Sequence, residues 1–547
     1  MSDAYYRRGW WRDETFLDDL RRGVREHPGK TAVAVHAVDG STRVLDYAEL
    51  SALTDRCASA LIELGLRPGD FAAVQLTDRW ELSVLALACM RAGVRFCPLM
   101  PIYRRWQLET MLRVSGARVF VTLAEHGGDR LAEIGVALAK ELPDLEHVLV
   151  ARGPGVAGGP GTEGEPGPAG VAGFEEFFFA TPWEERHAGE LDARELGPDD
   201  PYLVLFTSGT TGEAKGVLHS QNTLYAAVRG EAGVFDLDGS LVMVTSASYT
   251  HYTGVVQGML MPLMLGGTMV FHEPREEATA LDVMARHGVT FLYTAPAMLR
   301  KLIDEQRRAP RDLSLRRLVC GSAPVPAYFV DEVREVFGLR LHSLWGMTEN
   351  GPVTISRTED PEDWAARSDG SPIADMELRI DPVPGQDGDV GVLWVRGPTQ
   401  CLGYYRREEL YAAKLDAEGF FNTDDLVRPD GRGGIRVTGR AKDLILRHAN
   451  IVPVADLETI IGRHPKVREV AVIGIPEGGL DETVCAVVVA AAPVTLEELR
   501  RALADAGMAD LYWPQRLEIV AALPKTAIGK TRKVELRERF HEATQDR

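Results

Sequence analysis

Residues 205–220 read LFTSGTTGEAKGVLHS. Thr207, Ser208, Gly209, Thr210, Thr211 and Gly212 are consecutive, and Lys215 follows shortly after. These residue types suit an oxyanion. Glycines let backbone N–H groups turn toward a ligand, because no side chain blocks the approach. The hydroxyls add donors, and the ammonium supplies charge for a phosphate. A Ser/Thr/Gly-rich surface turn is the plainer alternative. The apolar run YLVLF before the stretch and the lysine behind it favour a nucleotide phosphate loop. It is not the common P-loop, which needs Gly-Lys-Ser/Thr in succession. Lys215 stands instead between Ala214 and Gly216.

Five later stretches have the makings of the same site. In CGSAP (320–324), Gly321 and Ser322 follow the apolar RRLV and would let a flat ring approach the backbone. WGMTE (345–349) follows the strand-like LHSL and combines an aromatic face, a hydroxyl and a carboxylate. A carboxylate facing a triphosphate needs Mg²⁺ between them. NTDDL (422–426) offers two turn carboxylates, of which Asp425 suits ribose hydroxyls. GRAKD (439–443) lies at a change of composition, and LPKTAIGKTRK (523–533) concentrates cations on a loop. Taken singly, each is also an ordinary turn or a solvated basic segment.

These residues need a frame to hold them. The chain has 547 residues, which implies two or more domains. Helix-like and strand-like runs alternate over 45–120: DYAELSALTDRCASALIELGL ending at Gly65, then FAAVQL, then WELSVLALACMRAG ending at Gly93, then VRFCPL. That alternation predicts a parallel sheet covered by helices, resuming to about residue 350. Residues 152–173 are mostly Gly and Pro and predict a flexible surface insertion. Short strands with Gly/Asp turns follow from 371 to 440, and an α+β unit occupies the last hundred residues.

The net charge of −19 opposes a nucleic-acid or anionic-membrane partner. Any polyanion site must therefore be locally basic. The six cysteines form no CxxC pair and predict buried reduced thiols. The first residues lack an apolar signal core, and no run approaches the ~18 apolar residues of a membrane span, so a cytoplasmic location is expected.

In order, TSGTTGEAKG, GSAP, WGMTE, TDD, GRAKD and PKTAIGK resemble the adenylate-forming superfamily of acyl-CoA synthetases, peptide-synthetase adenylation domains and luciferases. The resemblance covers nearly the whole chain. SYTHYTGVVQGMLMPLMLGGTMVF and LYTAPAMLRKL look most like AMP-forming carboxylate–CoA ligases. It implies an N-terminal core (1–440) of parallel sheets and helices with a small β-rich part. It also implies a small mobile C-terminal α+β domain (441–547) carrying the catalytic lysine.

It further implies a phosphate loop of Thr207, Ser208, Gly209, Thr210, Thr211, Gly212 and Lys215, and an adenine slot of Gly321, Ser322, Ala323, Pro324 and Trp345. Thr348 would meet the α-phosphate or acyl oxygen, Glu349 the Mg²⁺, and Asp425 and Arg440 the ribose. Lys530 would bridge the acyl carboxylate and α-phosphate, with Lys442 as hinge. His251 would line the acyl pocket with Tyr249, Tyr252 and Met347; a core histidine is the alternative. ATP, Mg²⁺ and CoA are the implied cofactors and co-substrates.

No aspartate stands at the start of the pocket region to grip an α-amino group, nor does an HNYP-like stretch, so the expected substrate is an acid without an amine beside its carboxylate. Three departures qualify the resemblance. Asp424 stands where the family has glycine. His448 and Ala449, in RHANIVPVADLE, replace a Gly-Gly-containing loop that packs along pantetheine. Trp513 stands where lysine is frequent. They keep a second reading open, in which the adenylate goes to a carrier-protein phosphopantetheine, an amine or another nucleophile; nitrite activation for diazotisation is a remoter variant. A silent nucleotide-binding regulator is opposed by the retained Lys530, Glu349 and Asp425.

Overall fold

Apolar runs such as FAAVQ and VFVTL are too short for helices and too uniformly apolar for a half-exposed sheet. They form strands Phe71–Gln75 and Val119–Leu123, buried along their whole length as parallel strands covered on both faces are. In the computed structural model, residues 2–37, 40–151, 171–208, 214–273, 277–322, 325–383, 389–440, 445–447, 450–452, 454–476, 482–525 and 530–545 are described.

Among them, two large sheets carry the site. An eight-stranded sheet runs Gly403–Tyr404, Ala214–Ser220, Pro201–Ser208, Arg95–Pro98, Phe71–Gln75, Val119–Leu123, His147–Ala151, Val171–Gly173. A nine-stranded sheet has parallel strands Thr31–His36, Thr268–His272, Val242–Thr245, Phe291–Thr294, Arg317–Cys320 and Leu341–Met347 at its centre, with antiparallel edges. Val74, Phe96 and Val121 of the first share one continuous core with Val33, Met243 and Phe271 of the second.

Local signals set the helices between the strands. Tyr47–Glu63 starts at a capping box in which the Asp46 side chain accepts from the Glu49 N–H and Glu49 reaches back. Glu81–Ala92 ends at Gly93, whose φ of 75° is the left-handed stop that glycine supplies without strain.

Between residues 371 and 440 lies a four-stranded antiparallel sheet of Glu377–Pro382, Gly391–Arg396, Phe421–Pro429 and Ile435–Arg440. The C-terminal part builds its own core, where Ile445, Leu457 and Ile461 pack on Val484, Ala486 and Val488. Its sheet pairs Val467–Pro476 with Glu482–Ala490 antiparallel and adds Arg516–Ile519 in parallel. Trp513 caps that core and donates its Nε1–H to the Met508 carbonyl at 2.8 Å.

Two expectations change. Of the Gly/Pro insertion, Val171–Gly173 is an edge strand parallel to His147–Ala151, while 152–170 lie outside the described residues. Trp345, Gly346 and Met347 do not follow their strand but continue it to Met347, pairing with Gly351–Ile355 around an irregularity at Trp345/Gly346. All six cysteines are buried free thiols. No helix among the described residues is long and apolar enough to cross a membrane.

Candidate active site

The phosphate-loop stretch is a hairpin. Pro201–Ser208 pairs antiparallel with Ala214–Ser220, setting Thr207 opposite Lys215. Gly209, Thr210, Thr211 and Gly212 lie outside the described residues, as does the side chain of Ser208. The Lys215 ammonium stands 5.2 Å from the centre of the Tyr404 ring, a cation–π contact. Tyr404 is positioned by its own strand, Gly403–Tyr404, which pairs with Ala214–Ser220. Its hydroxyl donates to Glu349 Oε1 at 2.8 Å. One tyrosine thus ties the lysine of the first motif to the carboxylate of the third. Nothing in the spacing around CLGYY marks it.

Thr348 is fixed from below. His219 Nε2 lies 2.7 Å from the Thr348 carbonyl, and Nδ1 lies 2.9 Å from Thr223 Oγ1. A carbonyl only accepts, so Nε2 carries the proton. Burial holds His219 down to about 4, leaving the ring neutral.

Asp425 and Arg440 are cross-strand neighbours. Arg440 Nε meets Asp425 Oδ1 at 2.6 Å, and Trp345 Nε1 donates to Oδ2 at 3.0 Å. Burial pushes the Asp425 carboxyl up, while Arg440 and the indole pull it down. Next to it, Asp424 adopts a φ of 58°, the left-handed region where the superfamily's glycine is at ease. Its N–H donates to Asn422 Oδ1 at 2.9 Å, and its carboxylate pairs with Lys414. Local hydrogen bonding of this kind lets aspartate occupy the position.

In the expected adenine slot, a Cβ on Gly321 would lie 2.7 Å from the Tyr293 hydroxyl and 2.8 Å from the Leu344 carbonyl, so the backbone there admits only glycine without rearrangement. Ser322 has a φ of 68°. Ala323 and Pro324 lie outside the described residues, as do the hinge candidate Lys442 and the loop residues His448, Ala449 and Pro453.

Lys530 arrives from the C-terminal part. It stands within electrostatic reach of Asp425, Glu349, Arg440 and His251. Although part of the residue is exposed, enclosure of the ammonium lowers its proton affinity first and Arg440 lowers it further, against the two carboxylates. His251 feels burial and then Lys530, and is held to about 4.

Of the four residues expected in the acyl pocket, Tyr249 and Tyr252 share one buried cluster, and Met347 pairs with Gly351, which packs against the Tyr252 hydroxyl. Tyr249 belongs to the core: it is 1% exposed, its hydroxyl donates to the Val270 carbonyl at 2.7 Å, and its ring stacks on Phe271. Met347 packs against a different cluster, that of Val217, Val353 and Tyr404. Tyr252 is buried edge-on to the His219 ring. His251 alone of the four is linked to Lys530.

Residues 20–405 match the family described as AMP-binding enzyme, and residues 456–530 match the AMP-binding enzyme C-terminal domain. The chain belongs to the AMP-binding enzyme family. It is similar to the medium-chain fatty-acid–CoA ligase of Escherichia coli (29% identical, 98% of this chain and 92% of that protein). It is also similar to the salicyl-AMP ligase/salicyl-S-ArCP synthetase of Mycobacterium tuberculosis (31%, 96% and 91%). ATP-bound MatB from Rhodopseudomonas palustris superposes with a TM-score of 0.80 at 27% identity, over 97% of this chain and all of that one. This AMP-binding enzyme is an adenylate-forming ligase, with its N-terminal sheets and its smaller C-terminal domain built as in those relatives.

Proposed function

We propose that the enzyme activates a carboxylic acid as its acyl-adenylate and transfers the acyl group to CoA. The observation that carries the first half is the convergence of Lys530 with Glu349, Asp425 and Arg440, drawn from the two parts of the chain. A carboxylate oxygen attacks the α-phosphorus and the bond to pyrophosphate breaks. Such a reaction needs alignment and charge neutralisation more than covalent help. The Asp425 carboxylate, held by Arg440 and Trp345, accepts from the ribose hydroxyls. Lys215 and the Thr/Ser/Gly stretch that precedes it in sequence take the β- and γ-phosphates. Lys530 bridges the acyl carboxylate and the α-phosphate, and His219 fixes the backbone of Thr348, whose hydroxyl would meet the same oxygens.

Glu349 fits a Mg²⁺ site of the triphosphate type. The described residues hold no group of three or more metal-ligating side chains, and Mg²⁺ in such sites takes one or two carboxylates with the rest from phosphate and water. When bound, the ion neutralises charge between the phosphates and leaving pyrophosphate. Tyr404 orients the carboxylate that would hold it.

Rotation of residues 441–547 about Lys442 would then remove Lys530 and admit the thiol, an arrangement by which one cleft runs two half-reactions. The likeness to the Escherichia coli CoA ligase supports CoA as acceptor. His448 and Ala449, and the likeness to the salicyl-S-ArCP synthetase, favour the second reading of a carrier-protein or other nucleophile. The test loads the enzyme with ATP and an accepted acid and measures acyl-CoA at saturating CoA. Thioester formation well above adenylate hydrolysis supports CoA. Formation no faster than hydrolysis sinks it and promotes the other acceptors, which the same loaded enzyme then samples.

A further inference from the structure

Glu231 lies in the middle of the Gln221–Phe235 helix and is fully buried. Neither carboxyl oxygen has a hydrogen-bond partner among the described residues. The Gln257 amide stands beside it, and the Gln257 Oε1 is likewise without a partner among the described residues. A buried polar group without a partner is costly, so an isolated glutamate at a packed helix position calls for a reason.

Its surroundings point to one. Glu231 follows Ala227 by one helical turn, on the same face. Gly351 packs closely against Ala227 and the Tyr252 hydroxyl: a Cβ there would lie 3.5 Å from the first and 2.4 Å from the second. That hydroxyl is itself buried and unpartnered. Gly351 is two residues from Glu349. Glu231 is also within electrostatic reach of Tyr252 and Tyr293, and the Tyr293 hydroxyl lies against the backbone of Gly321 in the expected adenine slot. Glu231 and Tyr252 thus form a polar patch behind the strand ends that carry Gly321 and Glu349.

We propose that Glu231, with Tyr252 beside it, is the specificity-determining wall of the acyl pocket, and that the acid activated carries an N–H or O–H donor on the part remote from its carboxylate. This rests on the acid-activation reading above. Burial pushes the Glu231 carboxyl up to about 8, so near neutral pH it is largely protonated and both offers and accepts a hydrogen bond. An amine or hydroxyl on the substrate satisfies it; a methyl group leaves it unpaired.

The test is ATP–pyrophosphate exchange with matched acids, aliphatic and aromatic, each bearing an amine, a hydroxyl, a methyl or hydrogen at the remote position. For the wild type, kcat/KM should favour the best donor-bearing acid over its methyl analogue by about tenfold or more, the cost of stranding a buried polar group. Amine and hydroxyl arms separate the two donors. Glu231→Leu should abolish that preference, keep the KM for ATP, and raise the melting temperature, because an unpaired carboxyl is replaced by a hydrocarbon. A merely structural glutamate would lose stability instead. Equal kcat/KM for matched acids in the wild type overturns the proposal whether or not the variant folds. If no acid supports exchange while ATP still binds, acid activation itself fails and the proposal falls with it.

Discussion

Tyr404 shows what a single side chain contributes to this site. Its ring faces the Lys215 ammonium, and its hydroxyl holds one oxygen of Glu349. A hydrogen bond to a charged group is worth about 1.5–3 kcal/mol. Tyr404→Phe should therefore raise the Mg²⁺ concentration needed for half-maximal exchange about tenfold or more, with the fold intact by circular dichroism. An unchanged Mg²⁺ titration removes Tyr404 from the site. Asp425→Ala should act differently, raising the KM for ATP and leaving the affinity for the acid unaltered, since Trp345 and Arg440 lose their shared partner. Glu349 and Asp425 were suggested by the residue types of their short stretches, whereas Lys530 was singled out within its basic loop only by the resemblance. Tyr404, His219 and Glu231 were not legible. Their partners are remote in sequence, and no local spacing distinguishes them from other buried polar residues. Sharing a stretch with His251 does not say which way the Tyr249 ring points, and its hydroxyl is taken by Val270.

The elements carry the site on their ends. Gly321 follows Arg317–Cys320, Glu349 lies in the turn after Leu341–Met347, Gly351 opens the strand Gly351–Ile355, and Asp425 lies within Phe421–Pro429. Apolar runs and glycine stops made the parallel strands readable. Their order was not readable, because pairing between distant strands leaves no trace in local periodicity, and neither was the continuation of a strand through WGM. The close packing of strand ends gives a sharp expectation for Gly321→Ala. The added methyl meets a backbone carbonyl, Leu344 O, that cannot swing aside. The variant should fold, bind ATP about tenfold or more weakly, and lose little affinity for the acid; a shift of this size corresponds to about 1.4 kcal/mol. Unaltered ATP binding by calorimetry would take the adenine slot elsewhere.

For the whole molecule, buried titratable groups set opposite limits on stability with pH. Burial holds His219 and His342 to about 4 against an ordinary 6.5, so between those values the unfolded chain binds more protons and stability falls as pH drops. Glu231 is raised to about 8 from 4.5, so across that window the native state holds the extra proton and stability falls as pH rises. Urea midpoints should peak between these limbs, and Glu231→Leu should remove only the alkaline one. A midpoint profile unchanged by the substitution contradicts that assignment. The two-part build was legible in the change of composition near residue 440. The meeting of the parts at Lys530 was implied by resemblance alone, since neither part's sequence marks the surface it offers the other. That meeting is also the centre of the functional account, and acid-dependent ATP–pyrophosphate exchange in Lys530→Ala tests it most directly. Loss of one preorganised donor at a developing charge costs roughly 10²–10³ in rate. The account predicts a fall of that size, with ATP binding kept and a supplied acyl-adenylate still consumed at nearly the wild-type rate. Exchange close to that of the wild type would contradict it.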